Sequence, residues 1–209
     1  MSCRLIAEPW LSSSSEWKTY MSRQVRVEGY AIVSTDGMIG DRNRKMPDGL
    51  KIDADARFFN HGLDRAALIV HGRNSHEQQA SSDRRRRLVV THRVAALAEH
   101  PSIPLAQLWN PAGASFAEAC VAIGVTEGMA AVTGGAEVFR LFLDIGFDAF
   151  HLSRAGKVRL PGGRPVFPEV PALTPEQVLA SHGLRPGPVQ VLDAQAEATL
   201  VTWEPPPGG

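Results

Sequence analysis

Cysteine is scarce in this sequence: 209 residues carry only Cys3 and Cys120. The two stand far apart in dissimilar settings, so neither a disulfide framework nor a cysteine metal site is expected, and a reducing compartment fits. An excess of one charge is missing too, because 22 Lys and Arg balance 22 Asp and Glu. Zero formal net charge argues against a dedicated nucleic-acid or polyanion binder, yet leaves room for a local basic patch around one phosphorylated ligand. No apolar run approaches the roughly 20 residues that span a bilayer. Residues 1–15 mix Arg4, Glu8 and the Ser12–Ser15 run where a signal peptide would have an apolar core. A cytoplasmic protein is therefore expected, with no membrane or nucleic-acid partner. The H-x-E and C-x-x-C ligand pattern of zinc deaminases is also absent, and no metal site is expected.

What is present suits one α/β domain with a substantial core, since hydrophobic residues make up 44% of the chain. Residues 1–24 lack a clean period and read as an extension, 25–204 as the domain, and 205–209 as a Pro/Gly tail. Within the domain, β-branched and aromatic residues over Val25–Ser34 predict a strand closed by the Asp36-Gly37 turn. Asp53–Gly62 predicts a helix with Phe58 and Phe59 on its apolar side. Ala66–His71, Arg87–Thr91 and Met129–Thr133 are apolar runs of buried-strand length. Ser115–Ile123 predicts a helix with Ser115 as its N-cap and Glu118 three residues on. A helix over Glu137–Leu143, a strand over Asp148–Arg154 and terminal strands between Val189 and Trp203 complete the pattern. Strands alternating with helices imply a sheet flanked by helices.

Four segments carry candidate chemistry. At Thr133-Gly134-Gly135-Ala136-Glu137-Val138-Phe139 a buried strand runs through two glycines into a helix. Glycines permit positive φ and close approach of a ligand, and a helix N-terminus offers free N–H groups to a phosphate. A tight turn with no ligand accounts equally well for the glycine pair. Gly72-Arg73-Asn74-Ser75 again follows a buried strand, with an arginine fork and a hydroxyl for phosphate oxygens. Thr91-His92-Arg93 stands at the carboxyl end of another strand, where open α/β sheets bind ligands. Asp53 and Asp55 precede the Phe58-Phe59 pair. An Asp beside a cleft can accept hydrogen bonds from the amidine edge of a heterocycle and help deliver a proton, although Asp53 also suits a helix N-cap.

In this order, the segments resemble the dihydrofolate reductase-like superfamily, which includes the reductase domain of bacterial riboflavin biosynthesis proteins. The resemblance covers about residues 25–170. Ala31 to Gly40, with its Asp36-Gly37-Met38-Ile39 opening, is similar to the family's first strand and the loop over the nicotinamide. Gly72-Arg73 with Ser75 is similar to its cofactor turn, Thr91-His92-Arg93 to its 2′-phosphate-reading strand end, and Gly134–Phe139 to its Gly-Gly turn. Leu160–Pro168 resembles the riboflavin-type Gly-Gly-x-Pro-x-Phe segment. The chain departs from dihydrofolate reductases at Asp48, where Trp is usual after the loop Pro, and at Arg164-Pro165, where Asp-Thr is usual.

The resemblance implies a three-layer fold, a mostly parallel sheet flanked by helices and ending in an antiparallel hairpin. It implies an NADPH-dependent reductase acting on a pterin or a ribosylaminopyrimidine-type heterocycle. Ala31, Ile39 and Gly40 would lie by the nicotinamide; Gly72, Arg73, Asn74, Ser75, Thr91, His92 and Arg93 by the adenosine half; and Thr133, Gly134, Gly135, Ala136, Glu137, Val138 and Phe139 by the pyrophosphate. Asp53 or Asp55 would be the catalytic acid, with Phe58, Phe59 and Arg85 toward the substrate. A homodimer is implied as well. Two alternatives stay open: a reductase of another reduced pterin such as dihydromethanopterin, and a nucleotide-binding module without turnover.

Overall fold

The computed structural model describes residues 25–73 and 84–207. The described chain opens with β1 (Val25–Ser34), β2 (Met38–Gly40) and a 3-10 turn at Asp48–Leu50, followed by α1 (Asp53–Arg65) and β3 (Leu68–Gly72). It continues through β4 (Arg87–Val90), β5 (Leu97–Glu99), β6 (Ala106–Trp109), α2 (Phe116–Ala122), β7 (Gly128–Val132), α3 (Ala136–Ile145) and β8 (Ala149–Ala155). β9 (Arg164–Pro165), α4 (Pro175–Ser181), β10 (Arg185–Pro186), β11 (Gln190–Asp193) and β12 (Ala198–Glu204) complete it.

Ten strands form one sheet in the order β10-β12-β8-β1-β7-β3-β4-β6-β5, with β11 pairing to β12, while β2 and β9 form a separate small ribbon. From β8 through β6 every pairing is parallel; β12 joins β8 antiparallel, and β11 with β12 makes the terminal antiparallel hairpin. The two-residue side-chain period of β1 divides the core into layers. Val25, Val27 and Val33 join Phe116, Phe139 and Phe142 in the main cluster beneath α2 and α3. Tyr30 faces the other way and packs with Leu63 of α1, Ile69, Met129 and Ala131. Ile32, Leu50 and Ala155 form a smaller cluster on that second side.

Local chemistry explains most element ends. The Ser115 hydroxyl accepts from the Glu118 N–H while the Glu118 carboxylate accepts from the Ser115 N–H, the reciprocal cap expected for this helix. Thr174 and Gln177 build the same device at α4. One expectation is corrected: Asp53 is not the cap of α1. Ile52 holds the cap position without a side-chain hydrogen bond, and Asp53 is the first helical residue. Fully buried Leu50, with Ile52 packed against the same cluster, sets where the helix begins. Asp53 and Asp55 then sit in the first turn, where negative charge suits the helix dipole.

Candidate active site at the carboxyl ends of the strands

Main-chain hydrogen bonds build the first part of the site. The Gly72 N–H, at the end of β3, donates to the Gly134 carbonyl at 2.9 Å, and the Thr133 N–H donates to Val70 O at 2.9 Å. Gly72 and Arg73 are thereby placed beside the Gly134-Gly135 turn. Gly134 has φ of +96°, and its peptide bond to Gly135 is cis. A side chain at Gly134 would start 2.7 Å from the Phe139 ring, and one at Gly135 would start 2.0 Å from Arg164 Nη2. Only bare backbone fits at Gly134, and at Gly135 a half-buried guanidinium lies directly over it.

Gly135 caps α3, its carbonyl accepting from the N–H groups of Val138 and Phe139. The N–H groups of Ala136 and Glu137 belong to the first turn, which has no intrahelical acceptors to offer them. The first-turn N–H groups, the positive end of a ten-residue helix and the Arg164 cation together can hold a phosphate group. Val138 and Phe139 themselves point into the core. Their part in the site is to fix the turn.

Thr91 directly follows β4, one strand over from β3. Its N–H donates to Trp109 O, and its hydroxyl oxygen accepts from the Arg93 N–H at 3.2 Å. This small turn leaves His92 and Arg93 exposed. Gly72-Arg73, Thr91–Arg93 and Thr133–Phe139 therefore share one edge, the carboxyl ends of three neighbouring parallel strands. Asn74 and Ser75 lie outside the described residues.

The loop after β1 is tied down from below. The Asp36 carboxylate accepts from the Ser34 hydroxyl at 2.6 Å and from the Leu160 N–H at 2.9 Å. Burial opposes its ionisation, but these donors prevail and hold its pKa below the usual carboxylate value. Arg154 donates to the carbonyls of Ser34 and Thr35 and pairs with Glu176 of α4. Ile39 is half-buried, and Gly40 pairs with Arg164 in the β2–β9 ribbon. That pairing carries Arg164 from the loop to the glycine turn. Ala31, half-buried in β1, lies in the strand next to β7.

The two candidate acids separate cleanly. Positions two apart on a helix point to different faces. Asp53 is exposed, whereas Asp55 faces the sheet and its carboxylate accepts a hydrogen bond from the buried Ser153 hydroxyl of β8. Burial raises the Asp55 pKa, and the Ser153 bond only partly offsets it. Phe58 and Phe59 continue the same helix and pack on Tyr30, with ring centroids 6.0 and 6.1 Å away. Arg85 is placed elsewhere: it pairs with Asp64 at 2.6 Å, nine residues along α1 from Asp55, or roughly 13 Å of helix.

Neither Ser153 nor Arg164 is among the site residues expected from sequence. A polar residue at an inward position of the strand His151-Leu152-Ser153 was the available signal for the first. An arginine in a Gly-Gly-Arg-Pro turn was the signal for the second.

Against this geometry, no family model matches the sequence, and no curated protein matches it either. Solved structures do match. Dihydrofolate reductase from Enterococcus faecalis, complexed with NADP(H) and RAB-propyl, aligns over 87% of this chain and 96% of its own, with TM-score 0.59 and 17% identity. The chain has the dihydrofolate reductase-like fold. A protein assigned to riboflavin biosynthesis from Shewanella sp. PV-4 shares this dihydrofolate reductase-like fold, with TM-score 0.57, 16% identity, 86% of this chain and 98% of that one. So does a diaminohydroxyphosphoribosylaminopyrimidine deaminase/5-amino-6-(5-phosphoribosylamino)uracil reductase from Thermotoga maritima, at TM-score 0.57 and 14% identity. The alignment takes in 88% of this chain but 57% of that longer protein, so the chain spans just over half its length.

Proposed function

We propose that the chain is a reductase that uses NADPH to reduce a pterin or a ribosylaminopyrimidine-type heterocycle. The observation that carries this reading is Asp55: a carboxyl whose burial favours the protonated form, fixed by Ser153, on the dihydrofolate reductase-like fold. Such an acid can hold the amidine edge of a flat heterocycle and give a proton to a ring nitrogen.

The glycine turn fits the cofactor's diphosphate in kind. It offers first-turn N–H groups and the Arg164 guanidinium, and the Gly72–Gly134 bond brings Arg73 alongside. Exposed His92 and Arg93 beyond β4 suit the 2′-phosphate that distinguishes NADPH from NADH. When bound, the cofactor supplies the hydride. The chain's own work is to position two rings and exclude water, with Asp55 holding the proton. Ala31 and the Ile39-Gly40 segment would line the space between them.

The test is a titration of the purified protein with NADPH and with NADH, followed by nicotinamide fluorescence, and then turnover with reduced and oxidised pterins and ribosylaminopyrimidines. Tighter NADPH binding, weakened by Arg93→Ala, together with turnover lowered by about 100-fold or more in Asp55→Asn, is the expected result. Failure to bind either cofactor overturns the reading.

A further inference from the structure

The opposite end of the sheet holds a cavity of about 580 Å³, within the range of small-molecule sites. It opens between the last turns of α1 and the amino-terminal ends of β1 and β7. His61, six residues beyond Asp55, is roughly 9 Å further along the helix axis, and Arg65 roughly 15 Å. The cavity thus runs away from Asp55 along the helix, and neither Asp55 nor the glycine turn lines it.

Its floor is a closed polar network. The buried Glu28 carboxylate accepts from Arg26 Nε at 2.8 Å through Oε1 and from the Tyr30 hydroxyl at 2.7 Å through Oε2. His151 Nε2 lies 3.2 Å from Oε2, and its Nδ1 lies 3.0 Å from the Thr202 hydroxyl. Both carboxylate oxygens are engaged, so Glu28 is spent on its neighbours. Arg26 is spent as well, since it also reaches Glu204 at 3.4 Å.

The rim is different. Arg65 and His61 line the cavity with no carboxylate partner among the described residues. Among the described residues, Arg65 is therefore one permanent cation on the rim without a counter-charge. The remaining wall is largely aromatic. Tyr30, Phe58 and His151 form a ring cluster with centroids 4.6 to 6.0 Å apart, and Met129 completes it. Gly62 lets the helix close on this wall, for an added Cβ would sit 2.7 Å from the Tyr30 ring.

From Arg65 and His61, unpaired among the described residues and set beside an aromatic wall, we infer that this cavity is a second binding site, taking a small aromatic carboxylate. The planar guanidinium matches a carboxylate bidentately, while one net charge does not match a dianion. The aromatic body of the ligand would lie on Tyr30, Phe58 and Met129, where offset or edge-on ring contacts add to burial.

Benzoate is the probe, titrated into the full chain while the Met129 methyl and the His61 and His151 ring signals are followed by NMR. Saturable shifts at Met129 and His61 are expected. Arg65→Gln should weaken binding by about tenfold or more, the loss expected for one charge-assisted bond, and Arg65→Lys should retain part of it. Arg65 is exposed, so both variants keep the fold. Arg159→Gln, which alters an exposed arginine away from the cavity, should leave benzoate binding unchanged. Absence of saturation overturns the site. So does equal weakening by Arg159→Gln, or equal affinity for benzylammonium or inorganic phosphate. Because none of these readouts involves a nicotinamide, the outcome is independent of whether the chain proves to be a reductase.

Discussion

Asp55 on α1 and Glu28 in β1 beneath it share one face of the sheet, yet their environments push them in opposite directions. Asp55 has one donor, the Ser153 hydroxyl, and burial prevails, so its pKa rises. Glu28 is also penalised by burial, but the His151 bond outweighs that cost. With Tyr30 and Arg26 adding to it, the pKa falls to about 2. Burial therefore does not decide the charge of an acid in this molecule; the number of donors aimed at it does. The under-supplied acid is the one suited to proton transfer, and the fully supplied one is suited to holding structure.

Removing each acid sharpens the contrast. Asp55→Asn should lower kcat/KM for heterocycle reduction by about 100-fold or more, the usual scale for a lost general acid, with NADPH affinity unchanged. The same variant should be more stable than the parent at pH 7. With the folded pKa raised, the native state holds the proton longer than the unfolded chain, so stability drains away as pH climbs through that window. Thermal unfolding from pH 4 to pH 8 reads this directly, and a variant less stable at pH 7 would break the comparison.

Glu28→Gln should show the reverse. Its stabilisation is complete above the unfolded value of 4.5 and is lost as pH falls toward 2. A loss of about 2 kcal/mol at pH 7 is expected, after discounting for water at the cavity mouth, and the gap to the parent should narrow by pH 3. Urea denaturation at the two pH values gives the measurement.

The glycine turn offers a milder test. In Gly135→Ala the new methyl meets only the end of the Arg164 side chain, which can swing aside. The fold should persist while NADPH affinity falls about tenfold, as expected when one charge-assisted contact is displaced. Fluorescence titration beside a melting curve separates the two effects. The smallest change belongs to Ser115→Ala, which removes the cap of α2 far from either acid and should cost about 1 kcal/mol by denaturation, leaving ligand affinity untouched.

What could be read in advance followed from strong local patterns. The β-branched run of β1 matched its strand over Val25–Ser34, and the Ser115–Glu118 pair capped its helix as expected. Leu97–Glu99 and Ala106–Trp109 escaped notice because each is too short to show a period, and Pro101 and Pro104 stand between them. Thr174–Gln177 carries the same capping signature in its sequence. Asp53 and Asp55 could not be told apart, because the choice turns on the helix phase that buried Leu50 sets from outside the helix. Arg85 looked available for substrate, but its partner Asp64 is 21 residues away in sequence and only the fold brings them together. Likewise, Ser153 acquires meaning only when β8 is placed beneath α1.

Cys120 lies on the inward face of α2, only 3% exposed, and its thiol is pushed up to about 12 by burial. Almost none of it is thiolate at neutral pH, and an alkylating reagent cannot reach it in the folded molecule. The sulfur thus acts as a built-in stopwatch. Its modification, followed by mass spectrometry of the peptide that carries it, would advance only when the helix lifts from the sheet. That rate times the opening of the layer itself, without dye or denaturant.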